Sequence, residues 1–389
     1  MTPTARGAAV PTETFPEIAS GLVLGGSPLP AVAGAGREGD ALAALEAAVL
    51  PALLRPPCVV AFSGGTDSSV VLAVALSLAR RLGLPEPVAF SWRFRGAPAA
   101  EESDWQQRVV ASLGLREWEV RVAEEGELDV VGPQAREVLL RHGVRHPANL
   151  HLHATPTALA RGGSLLTGAG GDQVLSGWRR PENRTFTRRL KDQVPPALRV
   201  TLRDLLRREL PWLRRDVAAR VLRGRLRDQA DEPVELARRV RWHAGRRDLT
   251  LTLANLRRLG EPYDVEVVAP LADHGFVQAL AQELGAGPAP RRAALVAAIA
   301  REAAPPVVWQ ARRKARFGEV FLAQHARTLA QAWDGAGLDP RVVDADALAR
   351  LWSRWPVPLG TAGLLQEVLL AGLRDEGAVR TAARRGDGG

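Results

Sequence analysis

From Asp40 onward the apolar positions alternate between two periods. Asp40 to Leu54 carries them at helical spacing, Cys58-Val59-Val60-Ala61-Phe62 is a short unbroken apolar run, and Ser68 to Leu82 returns to helical spacing through Val71, Leu72, Ala75 and Leu78. The same alternation continues with a strand over Pro87 to Phe94, a helix over Ala100 to Leu113, and a strand over Glu117 to Val122, where Trp118, Val120 and Val122 alternate with polar residues. Helices over Gly132 to His142 and Thr155 to Arg161 lead to a fourth strand, Ser164-Leu165-Leu166. Strands that alternate with helices predict an α/β fold with a parallel, doubly wound sheet. Ligands of such sheets bind beyond the carboxyl ends of the strands.

After Trp178 no strand series is legible and the pattern becomes helical, for instance over Arg291 to Ala303 and Ala362 to Arg374. Residues 1–38 are rich in Pro, Ala, Gly and Thr and read as an irregular arm, with a short strand pair expected over Ser20 to Leu29. The expected organisation is therefore an arm over 1–38, an α/β core over 39–178, a mainly helical C-terminal half over 179–380 and a frayed tail over 381–389.

With 389 residues, 46% of them hydrophobic, the chain can bury a substantial core. It has no run near the roughly 20 apolar residues of a membrane span and no signal-peptide pattern at its start, so cytoplasm is the expected location. The single cysteine, Cys58, excludes an intramolecular disulfide and reads as a small buried hydrophobe. The net charge of +9 invites a nucleic-acid reading, but of the 52 basic residues only Lys191 and Lys314 are lysines. Such an arginine bias, with no interleaved aromatic residues and no nucleic-acid fold signature, argues against a phosphate-backbone track and equally suits an acidic or peptide partner.

The chemistry begins where the first strand ends. Ser63-Gly64-Gly65-Thr66-Asp67-Ser68-Ser69 places two glycines and three serines between a buried strand and a helix. Glycines let backbone N–H groups approach a ligand, and the helix adds unpaired N–H groups and the positive end of its dipole. That is a pyrophosphate-binding loop for ATP. Asp67 would repel a bare phosphate, so a divalent cation, Mg²⁺, is implied between carboxylate and phosphate oxygens. The spacing is neither Walker A nor a dinucleotide GxGxxG. A second glycine turn, Thr167-Gly168-Ala169-Gly170-Gly171-Asp172-Gln173, follows the fourth strand and offers Asp172 as a second carboxylate facing Asp67.

The loop resembles the SGGxDS signature of the PP-loop ATP pyrophosphatases. SGGTDSS at 63–69, LTGAGGDQ at 166–173, APLAD at 269–273 and RRKARF at 312–317 resemble, in order and approximate spacing, the asparagine synthetase superfamily. That superfamily includes asparagine synthetase B, β-lactam synthetase and the lasso-peptide cyclases. The resemblance implies a ligase that activates a carboxylate as an acyl-adenylate, releasing pyrophosphate, before an amine displaces AMP. By it, Ser63, Gly64, Gly65, Asp67 and Ser68 hold the phosphates, and Asp67 and Asp172 ligate Mg²⁺. Trp92, through its backbone, and Thr167 and Gly168 border the adenosine. Lys314, supported by Arg312, stabilises the negative charge that develops during both chemical steps; a lysine in so arginine-rich a chain marks a place for a compact ammonium.

Two departures sharpen the expectation. Only about 60 residues precede the loop, too few for a glutaminase domain, so the amine is expected from free ammonia, a partner or the substrate itself. An attacking ammonium must also lose a proton. Relatives place a residue that can take part in this in the second glycine turn, where this chain has Ala169, and on a segment whose counterpart here is Ala254. His151, His153, Glu101, Glu102 and Asp104 are the alternative bases. Together these favour a peptide cyclase-like enzyme acting on a peptide or small carboxylate, with room for a leader-peptide-binding or protease partner. An ammonia-using asparagine synthetase-like enzyme, a PP-loop enzyme acting on RNA, and a nucleotide-binding protein without turnover are the other readings.

Overall fold

The computed structural model describes residues 12–26, 29, 40–175, 210–287, 289–310 and 315–386, with side chains up to residue 374. Five parallel strands, β1 (Cys58–Ala61), β2 (Val88–Phe94), β3 (Trp118–Ala123), β4 (Ser164–Leu166) and β5 (Glu266–Val268), form one sheet in the order β3-β2-β1-β4-β5. The chain moves outward from β1 in one direction and then returns to its other side. The strand order therefore reverses between β1 and β4, which is where a doubly wound sheet opens its ligand crevice.

Alternation along β1 assigns its two faces. Cys58, Val60 and Phe62 enter a core with α2 (Ala41–Leu53) and α3 (Thr66–Leu82), while Val59 joins Phe90, Leu165 and Val267 on the opposite face. The first face is completed by helices from the C-terminal half: α9 (Leu236–Ala244), α11 (His274–Leu284) and α12 (Arg292–Ala300). The second is covered by α6 (Ala154–Leu159) and α10 (Arg247–Gly260), which meets α6 and β5. Cys58 is buried, and that burial pushes its thiol up to about 11, so it is a protonated core side chain.

A second core lies away from the sheet. It joins α1 (Phe15–Ser20), α5 (Pro133–His142), α8 (Arg215–Asp231), α14 (Gln324–Ala332), α15 (Ala345–Trp352) and the start of α16 (Ala362–Gly386) around Trp212 and Trp352. The buried carboxylate of Asp129, just beyond β3, fastens this core to the sheet. Its Oδ2 accepts hydrogen bonds from Ala323 N at 3.0 Å and Ala326 N at 2.8 Å, capping α14 from a distant part of the chain.

Four sequence expectations change. No strand pair spans Ser20 to Leu29; its described residues make only an isolated bridge between Gly26 and Arg246, because α1 takes the chain to Ser20 instead. The described part of the arm is ordered, since Thr14 and Glu17 form a reciprocal capping box and Trp212 Nε1 donates to Ala19 O at 2.7 Å. Strand β5 went unread because three residues between two helices carry too little periodicity. Residues 381–386, expected to fray, continue α16, as befits an alanine- and arginine-rich run of high helix propensity.

Glu13 anchors the arm. Its side chain is 2% exposed, pairs with Arg145 at 3.4 Å and accepts hydrogen bonds from His146 N at 2.7 Å and Asn255 Nδ2 at 2.6 Å. Glu13→Ala leaves those donors without their acceptor, and about 2–3 kcal/mol of unfolding free energy should be lost. Urea unfolding of the two proteins measures it; an unchanged midpoint would show that the arm contributes nothing to the fold.

Candidate functional site

The loop after β1 is held by its own serines. Gly65 N donates to Ser63 Oγ at 3.1 Å, Ser63 N donates to Ser68 Oγ at 3.2 Å, and Ser68 Oγ donates to Gly65 O at 3.1 Å. Ser69 Oγ donates to Gly64 O at 3.3 Å. Gly64 has φ +84°, and a Cβ there would lie 2.9 Å from Gln106 Cγ, while Gln106 Nε2 donates to Ser63 O at 3.1 Å. Gln106, on α4 (Ser103–Leu113), thus braces the turn from outside. Glutamine on a helix face carries no distinguishing pattern, which is why the sequence did not mark it. The turn delivers Asp67 into the first turn of α3, where N–H groups lack intrahelical acceptors.

The second turn lies directly upon the first. A Cβ at Gly168 would stand 2.9 Å from Ser68 N and 3.2 Å from Asp67 Cβ, and one at Gly170 would stand 2.8 Å from Ala272 Cβ. No side chain fits in either gap. The turn is sandwiched between the start of α3 and the Pro270–Ala272 turn that follows β5, so three of the four sequence segments converge at the reversal point. Thr167 is buried and its N–H donates to Val268 O at 3.0 Å, extending the β4–β5 ladder into the site.

Asp67 and Asp172 share a cation. The Arg292 guanidinium, at the first residue of α12, bonds to Asp67 Oδ1 through Nη2 and to Asp172 Oδ1 through Nη1 at 2.9 Å. Burial works against its charge, but the two carboxylates outweigh burial and hold the guanidinium pKa above the ordinary arginine value. Sequence reasoning missed Arg292 because one arginine among so many gives no signal. Two oxygen donors converging on one positive centre suit a divalent cation. Among the described residues no group of three or more His, Cys, Asp or Glu is placed to hold a metal. Such a pair fits Mg²⁺, which is commonly held by one or two carboxylates while phosphate and water complete its shell.

Residues 41–359 match the asparagine synthase family. The chain belongs to that family. Its members are ATP-dependent enzymes that form amide bonds, and this chain is an ATP-dependent carbon–nitrogen ligase of that general kind. No curated protein matches it. No described helix is long and apolar enough to cross a membrane.

The other expected site residues are spread around this centre. Trp92 lies within β2 and its indole Nε1 donates to Leu152 O at 3.1 Å, so its side chain supports the Leu150–His153 turn and only its backbone remains for a ligand. Lys314 and Arg312 lie outside the described residues. Arg316, just beyond them, donates its N–H to Ala99 O at 2.8 Å, at the stretch that follows β2. Glu101 is tied to Ser103 N at 2.7 Å, and Glu102 and Asp104 flank the start of α4. Ala254, on α10, is half-buried.

His151 is a structural residue. It is 2% exposed and its Nε2 lies 2.9 Å from Leu128 O, which requires the ring to donate and leaves no path to a substrate proton. Burial pushes His151 and His153 down to about 4, His153 with a smaller contribution from His151. Both rings are neutral in the folded protein at neutral pH. Since the unfolded chain takes up protons near 6.5 that the folded chain refuses, their contribution is complete above about pH 6.5 and is lost as pH falls toward about 4. The unfolding midpoint should therefore decline across that window, and His151→Gln should flatten the decline. A slope identical to that of the parent would contradict this assignment.

Proposed function

We propose that this enzyme adenylates a substrate carboxylate with Mg·ATP, releases pyrophosphate, and lets an amine displace AMP to form an amide. The convergence of Asp67 and Asp172 on one cation, beside the start of α3 and between β1 and β4, carries the reading. Mg²⁺ bound by Asp67 and Asp172 would neutralise phosphate oxygens and polarise the α-phosphate toward the attacking carboxylate. Ser63, Gly64, Gly65 and Ser68 present their polar groups and the helix N-terminus to the phosphates. Thr167, Gly168 and the Trp92 backbone border the adenosine. Arg292, no longer needed to neutralise the two carboxylates, keeps a guanidinium beside the phosphates and compensates the charge of departing pyrophosphate. Lys314, with Arg312, stabilises charge on the α-phosphate and then on the oxyanion of amide formation.

The substrate in this reading is peptide-like, carrying both carboxylate and amine, so that the product is a macrocycle. Half-buried Ala61, Ala154 and Ala169, the last within the second turn, pack against the apolar core on this face of the sheet. An uncharged floor there suits a peptide better than a small, doubly charged amino acid. Incubation with ATP, Mg²⁺ and linear peptides bearing a free N-terminal amine and an Asp or Glu side chain should yield AMP, pyrophosphate and a peptide lighter by one water. Asp67→Asn should lower AMP formation on the order of 100-fold. Release of ADP and phosphate would overturn the adenylation chemistry, and AMP formation only with a free amino acid and ammonia would overturn the peptide reading.

A further inference from the structure

Helix α10 ends in the turn that feeds β5, so it runs antiparallel to the strand and its first turn opens at the same carboxyl rim as the second glycine turn. That first turn carries Asp248. Asp248 Oδ2 lies 3.5 Å from Nε2 of Gln173, the residue after Asp172. Asp248 Oδ1 is buried and accepts no hydrogen bond among the described residues.

Glu46 Oε1 is the other carboxylate oxygen so placed among the described residues, and the charged groups about Asp248 include His146 and two arginines. Asp248 follows two arginines, yet each is committed elsewhere. Arg246 is paired with Asp228 and lies 4.5 Å from the Trp242 ring centre, and Arg247 bonds to Glu17 at 3.0 Å and to Thr12 O at 2.8 Å. A buried carboxylate oxygen without a donor is unfavourable, and where native proteins keep such a group, water, an ion or a catalytic role accounts for it. An acceptor oxygen is thus held at the rim beside the second turn, on the same helix as Ala254.

We propose that Asp248 receives the amine of the second half-reaction, a role that rests on the ligase reading above. The carboxylate binds the substrate ammonium and accepts one of its protons. The neutral amine attacks the acyl carbon, a C–N bond forms, the C–O bond to AMP breaks, and AMP leaves with that electron pair. The second proton released from nitrogen passes to the departing phosphate. Neither Ala169 nor Ala254 has an atom able to take the first proton, and Asp248 supplies it from the same seam between loop and helix.

The half-reactions separate the possibilities. ATP–pyrophosphate exchange and amide formation are measured for the full chain and for Asp248→Asn, with a linear peptide bearing a free N-terminal amine and a Glu side chain. Hydroxylamine, which is unprotonated at neutral pH, serves as a second nucleophile. Asp248→Asn should keep exchange and hydroxamate formation within about threefold of the parent, while peptide amide formation falls about 100-fold. Asp248→Glu should restore part of it. Amide formation at the parental rate in Asp248→Asn, or an equal loss of exchange and hydroxamate, would remove Asp248 from this role. Absence of exchange in the parent protein would instead defeat the ligase reading and take the assignment with it.

Discussion

Two carboxylates from different strand ends are forced close together, and a cation must lie between them. Gly168 and Gly170 allow the second turn to rest on the backbone of Asp67 and Ser68 on one side and against Ala272 on the other. Any side chain in those gaps would separate Asp67 from Asp172. Asp67 is sheltered from water and Asp172 is largely exposed, and the two like charges repel. Arg292 answers that repulsion in the protein alone. In the proposed reading the same pair holds a divalent cation together with phosphate. The order of the strands, the two glycine turns and the start of α12 all serve that juxtaposition.

Around it the fold divides labour between its two halves. The α/β half supplies the loop, the helix N-terminus and both carboxylates. The helical half supplies Arg292 and places Asp248 at the rim from the far side of the second turn. The described arm is fastened to that half through Glu13, which accepts from Asn255, and Glu17, which pairs with Arg247. An enzyme that must first handle phosphate and then an amine gains from this separation. In the proposed reading one acid pair faces a metal and a third acid, Asp248, faces the nucleophile.

Much of this was legible in the sequence because it depends on local pattern. The short apolar runs gave β1 to β4 and the helices between them, and glycine followed by aspartate at two strand ends marked Asp67 and Asp172. What was not legible depends on contacts between distant segments. Arg292, Gln106 and Asp248 belong to ordinary helical stretches, and only the fold brings them to the strand ends. β5 is three residues long, and its identity comes from pairing with β4 rather than from its own composition. His151, one of several alternative bases in the sequence, shows the converse: only its burial and its bond to Leu128 O mark it as structural. Trp92, expected at the ligand through its backbone, uses its side chain on the neighbouring turn.

Asp67 and Asp172 are proposed to hold one divalent cation together with the nucleotide. Electron paramagnetic resonance of Mn²⁺ titrated into the protein with the α,β-methylene analogue of ATP reads this out. One tight Mn²⁺ per chain that requires the analogue is expected, weakened by about 10- to 100-fold, and to a similar degree, in Asp67→Asn and Asp172→Asn. Tight Mn²⁺ binding that survives the loss of either carboxylate would contradict it.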